Sequence, residues 1–389
     1  MSQRKPMIDF LINRRYADYR HGTGVQLKLF AEQAGQKPLH ICWDDGRCVK
    51  DTYRPVCNLN TSWHRVWPFY RGKGLVGRME EKLGLTWHDQ RRISKRVMQF
   101  SRMKTGKSRA YVIVASEEEA KIARQILDVL DADYLVNVMD YLHLDPEEPA
   151  EFPQFAALLK GAKKIFALTP PIQAALARIS GRKDVSILGV AREPADRRQR
   201  TFATETNPLE IVMMGSVDYT RGLRELQNFC DGLDVTGIKY RLNYIGTREM
   251  RERLGTELQV SYRGVRLGAE RDAMLNTMHL AYLPGPDGNP AEDCLARYSF
   301  PSRLTDYFWH GLPVVGPLFD DSATAQMLGG LIGKGVWFSQ EHKQLVAVAN
   351  NLAKSPQAWE AASGAAYNFA QENFSMNRTA KTILEVFDN

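Results

Sequence analysis

The sequence contains no hydrophobic run long enough to span a bilayer, which argues against an integral membrane protein. The apolar run nearest the N-terminus is interrupted by Asp9 and Asn13 and is too short to form the core of a signal peptide. We therefore expect a cytoplasmic protein.

Cysteine is scarce, with 5 residues in a chain of 389, and no two of them form a Cys-x-x-Cys pair. An odd number of unpaired cysteines in a long chain is typical of free thiols in a reducing compartment. A zinc site built from Cys42, Cys48 and Cys57 is the less favoured alternative. We therefore expect no disulfide framework and no metal.

Positive charge is unevenly distributed along the chain. Residues 1–200 carry 35 Lys and Arg against 23 Asp and Glu, whereas residues 201–389 carry 17 against 22. A basic half is suited to an anionic surface, such as phospholipid or nucleic acid, although ordinary solubility also produces such an imbalance. The two halves are therefore expected to meet different partners.

The length of the chain exceeds the size at which a single core stops growing, so two domains are expected. Short β-rich runs alternate with helical patterns, and the series restarts after a charged segment at 191–208 that is interpreted as a linker. The predicted strands are PMIDFLIN, PLHICWD, YVIVAS, YLVNVMD, KIFALT and VSILGV, then LEIVMMG, YRLNYIG, VSYRGV, HLAYLP, LPVVG and GVWFS. This alternation predicts two doubly wound parallel sheets facing each other across a cleft.

The strongest motif is ARYSFPSRLTDYFWHGLPVVGP, residues 296–317, which predicts a turn, a helix and a buried strand. Ser299 begins the turn, Pro301 fixes its backbone, and Ser302 is placed to cap the helix. The N–H groups and dipole at a helix start suit a diphosphate, and Arg303 adds a guanidinium that can fork onto phosphate oxygens. A solvated helix start is the alternative interpretation.

Asp306 lies one turn further along this helix, where a carboxylate can accept hydrogen bonds from ribose hydroxyls. The stretch resembles the donor-binding signature of the GT-B retaining glycosyltransferases related to sucrose and mannosyl transferases (glycosyl transferases group 1). The resemblance is to the variant of this signature that reads Pro-Ser-Lys, followed by a helix with Glu and then by Gly-x-Pro-Val. The resemblance implies that Asp306 contacts the donor ribose and that Arg303 replaces the signature Lys. The first Glu of the family's pair falls on Tyr298, which cannot act as a carboxylate.

A second match opens the C-terminal half at LEIVMMGSVDYTRGLRELQNF, residues 209–229. It resembles the family's strand, Gly, loop and Lys-Gly, with Gly215 at the turn and Arg221 in place of Lys. Ser216 stands where the family often has Arg, so one of the two cations that the family places near the donor diphosphate is missing here. The resemblance implies that Arg221 meets the donor diphosphate beside Arg303.

Two features of the first half are candidates for the remaining contacts. Gly22 and Gly24, in HGTGVQLKLFAEQ, allow close backbone approach, and the family has a Gly-rich loop here that faces the donor phosphates. Asp140 and His143 follow a predicted strand, where either can contact the transferred sugar or the acceptor hydroxyl. A tight turn and a structural His are the alternatives.

Residues 91–109 hold eight basic residues and no acid, with apolar residues at helical spacing. Such a helix can lie on an anionic membrane, or it can pack on its own domain with its charges in water. We expect peripheral contact with the inner face of a membrane through this segment.

The resemblance implies a division into an acceptor-binding domain at 1–200, a nucleotide-sugar-binding domain at 201–370, and a C-terminal helix at 371–389 that crosses back to the first domain. It implies transfer of a sugar with retained configuration and no cofactor from a nucleotide-sugar, expected to be a UDP- or GDP-sugar. The basic first half of the chain is the basis for expecting a glycan or lipid-linked acceptor in cell-envelope polysaccharide synthesis. A nucleotide-sugar epimerase, a non-catalytic glycosyltransferase-like protein and a nucleic-acid-binding protein are the alternatives. No nucleic acid is expected, because the basic residues follow no nucleic-acid module.

Overall fold

The computed structural model describes residues 8–13, 39–42, 56–58, 107–139, 152–192, 194–195, 208–215, 222–255, 258–285 and 297–387. The chain divides into two compact units. The first unit consists of residues 1–168, 172–188 and 376–389, and the second of residues 169–171 and 189–375.

The first unit contains a seven-stranded sheet in which all neighbouring strands are parallel. Its strands are β1 (Phe10–Asn13), β2 (Leu39–Cys42), β3 (Val56–Asn58), β4 (Ser108–Ile113), β5 (Ala132–Val138), β6 (Lys164–Ala167) and β7 (Val185–Ile187). The spatial order is β3-β2-β1-β4-β5-β6-β7. Strand β1 is buried along its whole length, as expected for a parallel sheet covered on both faces.

The second unit contains a six-stranded parallel sheet. Its strands are β8 (Leu209–Met214), β9 (Tyr240–Ile245), β10 (Val260–Tyr262), β11 (Leu280–Tyr282), β12 (Val314–Gly316) and β13 (Val336–Phe338). The spatial order is β10-β9-β8-β11-β12-β13, the 3-2-1-4-5-6 arrangement of a Rossmann sheet. The first six strands of the other sheet have the same order, so the prediction of two doubly wound units is confirmed.

Helices numbered along the described part of the chain flank the two sheets. The first unit has α1 (Glu117–Leu130), α2 (Pro153–Gly161), α3 (Pro170–Ser180), which begins within residues 169–171 of the second unit, and α11 (Met376–Glu385). The second unit has α4 (Leu223–Val235), α5 (Arg248–Arg253), α6 (Gly268–Leu275), α7 (Arg303–Trp309), α8 (Ala323–Met327), α9 (His342–Lys354) and α10 (Pro356–Asn373). The C-terminal residues thus group with the first unit, where the guanidinium of Arg109 lies 5.5 Å from the centre of the Phe387 ring.

Local sequence explains where the helices form, as α1 illustrates. Ser116 has extended backbone angles and its hydroxyl accepts a hydrogen bond from the Glu119 N–H, which caps the helix. Its buried residues recur at helical spacing, at Ala120, Ala123, Ile126, Leu127 and Leu130. The helix ends at Asp131, whose φ of 46° is left-handed.

Every one of the twelve predicted strand runs overlaps a strand of the structure, although β4 and β5 begin before the runs predicted for them. Strand β3 was missed, because three residues next to Pro55 carry too little periodic signal to be recognised.

Candidate functional site

The candidate site lies at the carboxyl ends of β8 and β11, two neighbouring strands in the middle of the second sheet. The strand that follows β8 in the chain, β9, lies on one side of this pair, and the strand that follows β11, β12, lies on the other. Chain segments therefore leave the pair in opposite directions, which opens a crevice at the edge of a doubly wound sheet.

Helix α7 is fixed against the last residue of β8 by two hydrogen bonds. The Met214 N–H donates to the Tyr307 hydroxyl at 2.9 Å, and Nη1 of Arg303 donates to the Met214 carbonyl. Burial raises the pKa of Tyr307 to about 12, so this hydroxyl is neutral at physiological pH. The contacts place the Arg303 guanidinium at the carboxyl end of β8, and its binding of phosphate stays a prediction.

Gly215, which follows β8, turns the chain directly beside Arg303. Its φ of 81° favours glycine, and a Cβ at this position would lie 3.4 Å from Cζ of Arg303. The Gly215 N–H donates to the Ile245 carbonyl at 3.0 Å, and the Tyr244 hydroxyl donates to the Gly215 carbonyl at 2.8 Å. Hydrogen bonds of both the N–H and the carbonyl group of Gly215 therefore hold the predicted turn in place.

Gly222, at the start of α4, meets the loop that follows β11. Its φ is 85°, and a Cβ there would lie 2.5 Å from the carbonyl oxygen of Gly285. The close approach of two backbone segments requires glycine at this position, whatever its other role. The start of α4 thus lies directly against the loop that follows β11.

The turn before α7 differs in one respect from its prediction. Ser302 makes no capping hydrogen bond through its side chain, because its φ of −56° and ψ of −24° are already helical. By contrast, Ser322 has an extended ψ of 150°, and its hydroxyl accepts from the Ala325 N–H at the start of α8. The prediction that Ser302 caps α7 is therefore wrong, since the helical geometry turns its hydroxyl away from the first amides.

The other predicted site residues of the turn, Tyr298, Ser299 and Pro301, are half-buried and are held through their backbone. The Tyr298 carbonyl accepts from the Thr169 hydroxyl at 2.8 Å, and the Ser299 carbonyl accepts from the Thr324 hydroxyl at 3.1 Å. The Pro301 carbonyl accepts from the Leu304 N–H at 2.9 Å. These bonds fix the course of the chain up to Arg303. Contacts of Tyr298, Ser299, Pro301 and Ser302 with a donor stay predictions.

Asp306 lies one turn after Arg303 and is paired with two guanidinium groups. Nη1 of Arg192 contacts its Oδ1 oxygen, and Nη1 of Arg271 lies 3.5 Å from the same oxygen. Sequence reasoning missed Arg192, because its position in a charged segment suggested a solvated linker. The apolar residues Val190 and Ala191 directly before it, both buried, are a local signal that the chain is still packed there. The contact of Asp306 with a ribose stays a prediction.

Six other predicted site residues lie outside the described residues. They are Gly22, Gly24, Asp140, His143, Ser216 and Arg221, and residues 91–106 of the basic segment also lie outside. Three of these residues have described neighbours, since Ser216 directly follows Gly215, Arg221 directly precedes Gly222, and Asp140 comes shortly after β5, which ends at Val138.

Among the described residues, no group of three His, Cys, Asp or Glu side chains is arranged to hold a metal ion. Within the same ranges, no helix combines the length and the apolar character needed to cross a membrane.

No protein-family model matches the sequence, and no curated protein matches it either. Solved structures are nevertheless similar along almost the entire chain. HepE from Anabaena, in complex with UDP and glucose, is 14% identical with a TM-score of 0.65, and the match covers 98% of this chain and 100% of that one. The trehalose-6-phosphate synthase OtsA is 11% identical with a TM-score of 0.64, covering 98% and 99%. The lipopolysaccharide outer core galactosyltransferase WaaB is 12% identical with a TM-score of 0.58, covering 97% and 98%. The chain therefore has the GT-B fold that the sequence predicted.

Proposed function

We propose that this protein is a glycosyltransferase that binds a nucleotide-sugar donor at the carboxyl edge of its second sheet. The observation that carries the proposal is the position of Arg303, held by the Met214 carbonyl at the end of β8 and next to the Gly215 turn. A guanidinium at the switch point of a doubly wound sheet lies where such sheets bind nucleotides. Its fork of donors matches the oxygens of a diphosphate.

The chemistry of sugar transfer explains why cations belong at this edge. Negative charge develops on the diphosphate as the bond to the sugar breaks, and preorganised donors lower the free energy of that transition state. Arg303 supplies one cation, and Arg221, next to Gly222 at the start of α4, is proposed as the second. With two guanidinium groups in place, the transfer needs no metal.

The donor proposed first is a UDP-sugar. HepE was solved with UDP and also with UDP-glucose, and these complexes support UDP as the first ligand to test. A GDP-sugar is the second choice, since the motif containing Arg303 and Asp306 reads the diphosphate and ribose that both nucleotides share. In this proposal the Asp306 carboxylate accepts from the ribose hydroxyls.

Transfer is proposed to retain the anomeric configuration, with the departing diphosphate assisting the incoming hydroxyl. Asp140 and His143 are proposed to contact the transferred sugar or the acceptor. Their position supports this role, because they follow β5, and the carboxyl ends of parallel strands are where doubly wound sheets bind ligands. Gly22 and Gly24 are proposed to approach the donor phosphates.

The acceptor is proposed to be a glycan or lipid-linked saccharide of the cell envelope, reached at the inner face of a membrane. The basic first half of the chain and the acid-free segment 91–109 support an anionic surface as the place of reaction. The similarity to WaaB supports an envelope acceptor.

A ligand screen tests the donor proposal. Thermal shift and calorimetry are measured with UDP, GDP, ADP, CMP and their common sugar conjugates, on the wild type and on Arg303→Ala. Saturable stabilisation by one nucleoside diphosphate, lost in the variant, is the expected result. If no nucleotide stabilises the wild type, the donor site is misplaced, and the non-catalytic and nucleic-acid-binding alternatives become the better interpretations.

A flotation assay tests the membrane proposal separately. The protein is mixed with vesicles of phosphatidylglycerol or of phosphatidylcholine, and the wild type is compared with a variant in which four cations are neutralised. These are Arg91, Arg92, Lys95 and Arg96. Binding to the anionic vesicles alone, lost in the variant, is expected. Equal flotation of both proteins would remove the basis for membrane contact.

A further inference from the structure

A compact ionic cluster joins three separate segments of the second unit, and we name it the Arg192 cluster. Its members are Arg192 from the segment after β7, Arg271 and Asp272 from α6, Asp306 from α7, and His310, which directly follows α7. The Arg192 side chain is only 9% exposed, and the His310 side chain is fully buried. A cluster buried to this extent constrains the segments that it joins.

Asp272 is the point where the cluster's hydrogen bonds converge. Its Oδ1 oxygen accepts from Nη2 of Arg192 at 2.7 Å and from Nε of Arg271 at 3.3 Å, and it lies 3.3 Å from Nε2 of His310. Nδ1 of His310 lies 3.0 Å from Oδ1 of Asn276. Burial acts to raise the pKa of the Asp272 carboxyl, but the hydrogen bond with His310 and the charges of Arg192 and Arg271 hold this pKa below its ordinary value. The carboxylate therefore stays ionised at neutral pH.

Arg192 is fixed to α7 through its backbone as well as its side chain. Its N–H donates to the Phe374 carbonyl at 3.0 Å, and the ring of Phe374 stacks on Phe308 of α7 with centroids 6.2 Å apart. Its guanidinium binds Asp306 of the same helix. Arg192 therefore contacts α7 at Asp306 directly and at Phe308 through one intermediate residue.

Asp306 and Arg303 are three residues apart on α7, so they lie on neighbouring positions of one helical face. Holding Asp306 therefore restrains the rotation of α7 about its axis, and that rotation determines where the Arg303 guanidinium points. A buried ion pair contributes little net stability, because desolvation offsets its Coulomb energy. Geometric restraint of α7 is the effect that the cluster's position provides.

We propose that Arg192 is a positioning residue for the donor site and acts through Arg303. By binding Asp306 and Asp272 together, it holds α7 in the rotation that presents Arg303 to the donor diphosphate. This inference rests on the proposed function, and it adds a residue that the sequence motif does not contain.

Calorimetry of UDP binding tests the inference on the full chain. Arg192→Gln is expected to raise the dissociation constant of UDP about tenfold. This corresponds to the loss of roughly one charged hydrogen bond between a displaced Arg303 and the diphosphate. Arg192→Lys is expected to recover part of this affinity, because an ammonium keeps the charge but cannot fork across two carboxylates. GDP replaces UDP in every titration if the wild type binds GDP alone.

The matched control is Arg241→Gln. Arg241 also pairs with a carboxylate in the second unit, with its Nη1 atom 2.6 Å from Oε1 of Glu210. Glu210 lies at the start of β8, the end opposite to Arg303, so UDP affinity is expected to stay within about twofold of the wild type.

A double variant separates positioning from general stability. If Arg192 acts through Arg303, then Arg192→Gln adds no further loss of UDP affinity once Arg303→Ala is present. Independent, additive losses would overturn the inference, as would normal UDP affinity in folded Arg192→Gln. If neither UDP nor GDP binds the wild type, the proposed function is wrong, and this inference, which rests on it, is wrong as well.

A second variant covers the case in which Arg192→Gln does not fold. Arg192→Gln combined with Asp272→Asn removes one positive and one negative charge together, while Arg271 still faces Asp306. The double variant is expected to fold and to show the same weakening of UDP binding. Wild-type affinity in this variant would contradict the inference.

Discussion

The two sheets share their strand order, but the helices at their carboxyl edges begin in different ways. In the first unit, the Glu119 carboxylate accepts from the Ala115 N–H at 2.7 Å, at the start of α1. Glu117 accepts from the N–H groups of Gln154 and Phe155, at 2.8 and 2.9 Å, at the start of α2. Carboxylates of the chain itself therefore occupy the positive ends of these helices.

In the second unit, α4 and α7 lie next to the candidate site, and neither has a cap hydrogen bond from its N-cap side chain, although α4 carries Glu225 in its first turn. Helix α4 follows Gly222, which has no side chain, and α7 begins with Arg303 after Ser302, which makes no capping bond through its side chain. The one acid in the first turn of α7, Asp306, is paired with Arg192 and Arg271. Strand order alone therefore does not decide which helix starts suit an anion. Among the described helices, carboxylates of the chain occupy the starts of α1 and α2, whereas no N-cap side chain caps α4 or α7.

The largest expected effect is on stability, and it concerns the close approach of Gly222 to the Gly285 carbonyl at the carboxyl edge of the second sheet. Gly222→Ala is expected to lower the free energy of unfolding by about 2 to 5 kcal/mol, since it adds left-handed strain and a clash with the Gly285 carbonyl. Gly237→Ala is the control at the other end of α4, where φ is 70° and a Cβ meets nothing within 4 Å. It should cost only about 1 to 2 kcal/mol. Urea denaturation measures both, and equal losses would show that the backbone contact is unimportant.

The second-largest effect is on UDP affinity, and it concerns Arg303 at the carboxyl edge of the second sheet. Arg303→Ala is expected to weaken UDP binding by about 1.5 to 3 kcal/mol, the contribution of a charged hydrogen bond. Arg297→Ala is the control, because this exposed residue pairs with Asp321 at 3.4 Å. Calorimetry below the unfolding temperature of each variant measures the affinities. Unchanged UDP affinity in Arg303→Ala would contradict the proposal that a cation at the second edge binds the donor.

A smaller effect is expected at the edge of the first unit. Glu117→Gln weakens the acceptor for two N–H groups of α2 and is expected to cost about 1 kcal/mol of stability, as for loss of a helix cap. Glu118→Gln is the control, since Glu118 is exposed in the same turn. UDP affinity should stay unchanged in both variants. A loss of UDP affinity in Glu117→Gln would mean that the first edge also contributes to donor binding.

The last effect is confined to acid pH. The folded-state pKa of Asp272 lies below its unfolded value, so its ionised form stabilises the protein above about pH 4, the unfolded pKa. This contribution is lost as the pH falls through the folded pKa. The stability difference between the wild type and Asp272→Asn should therefore be constant from pH 7 to 5 and shrink below pH 4. Thermal denaturation across this range measures it, and a difference independent of pH would contradict an ionised Asp272.

Much of the fold was predictable because its signals are local. The run EEEAKIARQILDVL carries apolar spacing, acids in the first turn and a preceding Ser, and it forms α1 over the residues expected. Two failures have equally local causes. Strand β3 spans three residues, too few for a period to be read, and the Ser302 cap failed because the sequence does not reveal that the residue already has helical angles.

The candidate site was predictable only in part. The motifs gave Gly215 and Arg303 separately, and the structure brings them together, with Cζ of Arg303 3.4 Å from the position of a Gly215 Cβ. The partners of Asp306 were not predictable. Arg192 lies in a charged segment, and no spacing rule links it to a helix that begins more than a hundred residues later.

The sequence by itself determined that this chain forms two doubly wound sheets, because hydrophobic periodicity and turn residues act over a few neighbouring positions. Only the tertiary structure decided which charges meet. The pair of Arg192 and Asp306 and the bond from Arg303 to Met214 join residues that the folding of the sheet brings together, and no local pattern encodes that proximity. The electrostatic difference between the two edges therefore appears only after the strands are in place.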